Sequence, residues 1–142
     1  MKIKRCEITV NEVIHALETE KTLTLATCAG NRVTIRPMSH INDGLLVYFQ
    51  TGTDSLKMQQ IRKNPHVALC VGTYEIEGMA SELGHPFMEE NSFFVRMYKE
   101  KHPELYERYT AFSDEIVVKV VIHNVRQWRY VDGEPALAEL AI

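Results

Sequence analysis

The tripeptide Asn42-Asp43-Gly44 constrains the fold of this chain more than any other short stretch. It separates two runs that read as strands, RVTIRPMSHI at 32–41 and LLVYFQ at 45–50. Asparagine, aspartate and glycine tolerate positive φ, which a tight turn between antiparallel strands requires. A hairpin there lays the strand that carries Arg36 beside the strand that ends at Gln50. The second run is almost continuously apolar, the pattern of a strand buried on both faces.

The neighbouring segments extend this pattern. Thr9 and Glu12 have capping-box spacing, which predicts a helix of about eleven residues with Val13, Ile14 and Leu17 on its apolar face. TLTLATC (22–28) alternates as a strand with Leu23 and Leu25 on one face. A helix follows the hairpin and stops at Asn64-Pro65; HVALCVG (66–72) and YEIEGMASEL (74–83) read as further strands, with Gly78 as a bulge or close-approach site. Residues 88–112 read as helical with a break near Pro103, and 115–131 as one long strand or two short ones before a turn at DGEP. The order predicts a mainly β fold with helices. About six antiparallel strands would close into a small barrel whose ends are plugged by helices. Such a barrel has little internal volume, so a large ligand belongs on its outside or between subunits.

Composition narrows the function. The 142 residues are 45% hydrophobic and 25% charged, as expected of a single globular domain spanning 1–142. Net charge is −3 and the basic residues are scattered, so no nucleic-acid or membrane partner is expected. The charged start, MKIKRCEITVNEV, lacks the apolar run of a signal peptide, and a cytoplasmic location with reduced thiols is expected. Cys6, Cys28 and Cys70 have neither disulfide-framework nor metal-site spacing; Cys28 and Cys70 lie in apolar runs and read as buried structural thiols. The six histidines form no ligand motif, so no metal is expected. There is no nucleophile elbow, phosphate-binding P-loop or dinucleotide fingerprint. Any chemistry would come from a bound cofactor, and no catalytic residue is identified.

The segment TGTDSLKMQQIRKNP (51–65) supplies the candidate site. It places Lys57 in the first turn of a helix, where the helix dipole disfavours a cation. With Thr53 or Asp54 as N-cap, the amides of Ser55, Leu56 and Lys57 point outward and form an anion site. The Ser55 hydroxyl adds a donor. Arg36, on the strand face opposite Val33 and Ile35, would add a guanidinium fork. The plainer reading is that Arg36 and Lys57 are solvated surface charges and that Asp54 caps the amides itself.

The course from Asn31 to Ala80 resembles the pyridoxamine 5′-phosphate oxidase-like, FMN-binding split-barrel proteins. The likeness is carried by a strand with Arg-Pro-Met, an apolar strand ending in Gln-Thr, and Ser-x-Lys opening a helix that closes with Asn-Pro. It covers about residues 10–84 closely and the final strands more loosely. The resemblance implies an FMN-binding split β-barrel, antiparallel and Greek-key-like, working as a homodimer with flavin between the subunits. It further implies that Arg36, Pro37, Met38 and Ser39 run along the flavin, and that Gln50 and Thr51 contact it. Ser55 and Lys57, with Leu56 between them, would hold the phosphate.

Three departures separate the chain from true pyridoxamine phosphate oxidases. VRQWRYVDGEP lacks their Arg-x-His pair, the chain is shorter, and Leu56 stands where they often carry arginine. Vitamin B6 oxidation is therefore not expected, and the closer likeness is to small general-stress and flavin-nucleotide-binding members. Trp128 reads either as a core residue or as the aromatic that family members place beside the flavin ring. The aromatic residues of 93–112 read as core or dimer packing, and His40 as a structural histidine or a donor to the ring.

The function these features imply is an FMN-dependent oxidoreductase, acting between bound flavin and a reduced nicotinamide or small organic substrate. The alternative is a flavin-binding carrier or sensor without turnover. A deazaflavin or haem is a further possibility for the cofactor, with His40 or His123 as the only candidate haem ligands.

Overall fold

The apolar run that begins at Glu115 forms one long strand, and the sheet is organised around it. In the computed structural model, which describes residues 2–142, the elements begin with β1 (Lys4–Glu7), α1 (Val10–Thr19), β2 (Thr22–Ala29), β3 (Arg32–Ser39), β4 (Ile41–Asp43) and β5 (Leu46–Gly52). They continue with α2 (Leu56–Lys63), β6 (His66–Val71), β7 (Tyr74–Gly84), α3 (Ser92–Lys101), α4 (Pro103–Tyr109), β8 (Glu115–Val131) and β9 (Glu134–Ala141). One edge of β8 pairs with β7; the other pairs first with β5, over Glu115–Val121, and then with β9, over Asn124–Val131. The sheet therefore forks at the middle of β8. From β7 it runs on through β6 and β2 to β3.

Local chemistry accounts for most element boundaries. The capping box forms: the Glu12 amide donates to Thr9 Oγ1 at 3.1 Å, and the Thr9 amide donates to the Glu12 carboxylate at 2.8 Å. Gly78 sits at a register shift between β7 and β8, where a Cβ would lie 2.6 Å from the Val121 carbonyl oxygen. Only glycine fits that approach. His102 interrupts the helical stretch just before Pro103, as the proline required. The main core joins Val13 and Leu17 of α1 and Met58 of α2 to Leu25, Phe49 and Val120 of the sheet. A second cluster, Ile41, Phe94, Tyr98 and Val117, seats α3 on the other face of β5 and β8.

Three expectations are corrected. The hairpin turn forms, with Gly44 at φ +58° and Asp43 opposite Leu46, but the strand before it breaks at His40. Only the short β4 pairs with β5; β3 pairs with β2, and Arg36 lies opposite Leu25. Pro37 explains the arrangement, because a residue with no N–H suits an edge strand. The sheet is also mixed rather than wholly antiparallel, since β1, not anticipated, runs parallel to β9. Finally, among the described residues β3 has β2 as its single partner, so hydrogen bonding does not close a barrel there.

Candidate functional site

Alternation along β3 turns Thr34 and Arg36 inward and leaves Val33 and Ile35 outside, 67% and 68% exposed. Arg36 is thus directed toward α2. Its Nη1 donates to Thr27 Oγ1 at 2.7 Å and its Nη2 to Thr34 Oγ1. Both hydroxyls donate in turn to the buried Gln60 Oε1, at 2.5 and 2.6 Å. Gln60 is anchored by its Nε2 on the Arg32 carbonyl at 3.1 Å. The network fixes the guanidinium before any ligand arrives, which lowers the ordering cost of binding.

One turn earlier on α2, Lys57 Nζ donates to Thr51 Oγ1 at 3.0 Å, and that hydroxyl donates to Ser55 Oγ at 3.2 Å. The N-cap is Ser55, whose Oγ accepts from the Met58 amide at 3.4 Å; neither Thr53 nor Asp54 fills that role. Asp54 is exposed, and its backbone carbonyl accepts from the Gln59 side chain. The amides of Leu56 and Lys57 consequently have no partner within the helix. Arg62, held by Thr53 and Glu82, pins the loop before the helix.

Electrostatics distinguish this corner from a solvated surface. Burial, and then the facing Arg36 guanidinium, pull the Lys57 ammonium below its ordinary value, while Glu115 acts in the opposite sense. Burial also lowers Arg36. Neither cation is in a salt bridge among the described residues. Two half-buried cations, the Ser55 hydroxyl and two free amides make a donor set suited to a phosphate monoester.

Beside the cradle lies a cavity of about 250 Å³. It is lined by Pro37, Met38 and Ser39 of β3, Gln50 and Thr51 of β5, and Tyr98 and Tyr109 of the helices. Gln50 is buried and accepts from the Thr110 hydroxyl at 2.9 Å. The structure thus gathers eight of the ten sequence-predicted positions, from Arg36 to Ser39, Gln50, Thr51, Ser55 and Lys57, around one corner; Leu56 contributes its amide, while its exposed side chain borders a separate depression with Ala29, Arg32 and Lys63. Trp128 does not join them. Thr51 pairs with Ile116, twelve residues before Trp128 on β8, roughly 40 Å along an extended strand. Trp128 is 42% exposed, which also rules out the core reading.

Other readings are revised by the same alternation. Cys70 is exposed because Val67, Leu69 and Val71 take the inward positions of β6, and Cys28 is partly exposed because Leu23, Leu25 and Thr27 take those of β2. His40 is fully buried; its Nε2–H donates to the Leu17 carbonyl at 2.8 Å, and Lys101 Nζ lies 3.4 Å away. Burial, then the nearby Lys101 charge, bring His40 down to about 4. It is a neutral structural link between the β3–β4 break and α1. Phe94 and Tyr98 are core, whereas Tyr109 and Phe112 are exposed. Thr27, Thr34, Gln60 and Glu115 were not singled out from sequence. The Lys57–Gln60 spacing of one helical turn was the available signal for Gln60; a glutamate beside Asp114 at the start of an apolar run gave little for Glu115.

The domain is mainly β, with Arg36 of β3 and Lys57 of α2 close enough for their charges to oppose each other. The chain belongs to the family described as pyridoxamine 5′-phosphate oxidase, whose family model matches residues 10–129. Solved structures share the fold. General stress protein 26 from Bacillus anthracis is 19% identical (TM-score 0.70; 94% of this chain and 98% of that chain). A FAD-binding protein from Mesorhizobium loti is 16% identical (TM-score 0.65; 83% and 92%). The heme storage protein HutZ from Vibrio cholerae is 13% identical (TM-score 0.67; 80% and 89%). Among curated proteins none matches significantly.

Proposed function

We propose that the chain binds FMN and acts as a flavin-dependent oxidoreductase. The observation that carries this reading is the unneutralised Arg36–Lys57 pair, in which Arg36 is preorganised by Thr27, Thr34 and Gln60 and Lys57 is held by Thr51. In this reading Arg36, Ser55, Lys57 and the Leu56 and Lys57 amides hold the phosphate. Pro37, Met38, Ser39, Gln50 and Thr51 border the remainder of the ligand. When bound, FMN supplies hydride exchange with a reduced nicotinamide or a small organic substrate. The chain's own part is to fix the phosphate, orient the ring and restrict water. Haem is less well served: His40 is enclosed with its Nε2 engaged, and His123 lies exposed on β8.

The reading includes a homodimer with a split-barrel subunit. A cavity of about 250 Å³ falls below the roughly 300–1,000 Å³ of common ligand pockets, so a second copy would complete it. Val33 and Ile35 offer an exposed apolar edge for that contact. Trp128 would meet the flavin only from the partner subunit. A carrier without turnover is separated from an enzyme by adding NADH or NADPH to the loaded protein: rapid bleaching followed by reoxidation supports the enzyme, and inert flavin the carrier. The binding reading itself is tested by the visible spectrum of the purified protein titrated with FMN. A two-banded flavin spectrum that Lys57→Ala abolishes is expected; a protein that ignores FMN overturns the reading.

A further inference from the structure

Helix α4 is lightly attached for an element that lines the cavity. Leu105 and Tyr109 border that cavity, yet no residue of α4 is buried, and Leu105 and Tyr106 pack only partly against the second core cluster. Few buried contacts place an element at the low-stability end of a fold. The bonds that hold α4 lie at its two ends. After its last turn, the buried Thr110 hydroxyl donates to Gln50 Oε1 at 2.9 Å. Before its first turn, the buried His102 ring donates from Nε2 to the His40 carbonyl at 2.8 Å.

The second attachment is sensitive to charge. His40 is fully buried in the break between β3 and β4; its Nε2–H is spent on the Leu17 carbonyl, and its Nδ1 has no hydrogen-bond partner among the described residues. A proton taken up at Nδ1 would be desolvated and unpaired. It would also stand beside a cation, because Lys101 Nζ donates to the same Leu17 carbonyl at 3.2 Å and lies 3.4 Å from Nε2. The charged and titratable groups facing His40 are Lys101 from α3 and His102 from the α3–α4 junction. Glu18 and Glu20, at the end of α1, act on Lys101, and Lys21 acts on His102. No carboxylate among the described residues forms an ion pair with His40. To reach water, a charged ring must leave this enclosure, and the backbone that carries it takes the His40 carbonyl away from His102. We propose that α4 is a lid on the cavity, latched by His102 on the His40 carbonyl, and that acid opens it by charging His40. The motion is a property of the ligand-free chain; only its consequence, release of the cofactor, rests on the flavin reading.

The ring takes a proton at about 6.5 when solvated but at about 4 when enclosed, so opening grows as pH falls between those values. The test is amide hydrogen exchange of the ligand-free protein at neutral pH and at about pH 5, corrected for the chemical effect of pH on exchange. In wild type, acid is expected to cost residues 104–110 at least about tenfold more protection than β6 and β7. His40→Gln keeps a donor for Leu17 but does not titrate, so this difference should shrink below about threefold. His102→Phe keeps a ring against Tyr98 and drops the donor; its α4 should be as open at neutral pH as wild-type α4 is in acid. Wild-type protection that is indifferent to pH overturns the proposal. So does pH sensitivity that survives in His40→Gln, or an α4 that stays protected in His102→Phe. Unfolding temperatures verify folding, and if His40→Gln does not fold, wild type and His102→Phe decide. FMN titration run alongside separates the two readings: acid opening without FMN binding keeps the lid and overturns the flavin assignment, and FMN binding without acid opening does the reverse.

Discussion

The two ends of β8 treat charge in opposite ways. Near its C-terminal end, Arg129 Nη2 meets Glu12 Oε1 at 2.5 Å, and the same carboxylate accepts from Tyr74 Oη at 2.9 Å and the Thr9 amide at 2.8 Å. Burial alone would raise Glu12, but the Thr9 amide, Arg129 and Tyr74 together bring it down to about 2. At the other end, Glu115, Lys57 and Arg36 crowd together without an ion pair. The first cluster is complete and ties β8 to α1 and β7. The second is incomplete in a single chain, as expected where a ligand supplies the missing charge. The satisfied cluster serves stability, and the unsatisfied one is where the proposed ligand would sit.

Four changes would break or sharpen this contrast. The largest effect is expected from Lys57→Glu, which sets a second carboxylate facing Glu115. FMN affinity should fall roughly a hundredfold or more, measured by fluorescence quenching; undiminished affinity would end the cradle assignment. Next, Glu12→Gln should cost about 1–2 kcal/mol of folding stability at neutral pH. Because folded Glu12 titrates near 2 rather than 4.5, its contribution is present above the ordinary carboxylate value and is lost as pH falls through about 2. Denaturant unfolding of both proteins across acid pH should show the gap closing, and a constant gap would contradict the ion-pair origin. Thr9→Ala should cost about 1 kcal/mol by removing the cap. Smallest of all, Lys57→Met should stabilise the ligand-free protein by about 0.5 kcal/mol, because it relieves repulsion from Arg36; a clear loss would mean that Lys57 serves the fold.

Much of this contrast was legible in the sequence, for physical reasons that differ along the chain. Thr9 and Glu12 lie three residues apart, so the capping box follows from local geometry alone. Ser-x-Lys opening α2 was equally visible, although choosing Ser55 over Asp54 as cap depends on the loop held by Arg62, Thr53 and Glu82. What stayed hidden depends on contacts distant in sequence. The strand break at His40 reflects its bond to Leu17, twenty-three residues away. Thr27 and Thr34 looked like ordinary strand residues until β2–β3 pairing set them opposite each other and Gln60 reached both. Cys70 sits in an apolar run, yet the outward phase of β6 exposes it.

The central claim, that the unpaired cations await a phosphate, is tested most directly by titrating FMN and riboflavin into wild type and the double variant Arg36→Ala with Lys57→Ala. The two ligands differ only in the phosphate. The account predicts that the variant loses roughly two orders of magnitude or more for FMN while riboflavin binds almost as before. Equal losses for both would contradict it and return Arg36 and Lys57 to the structural framework.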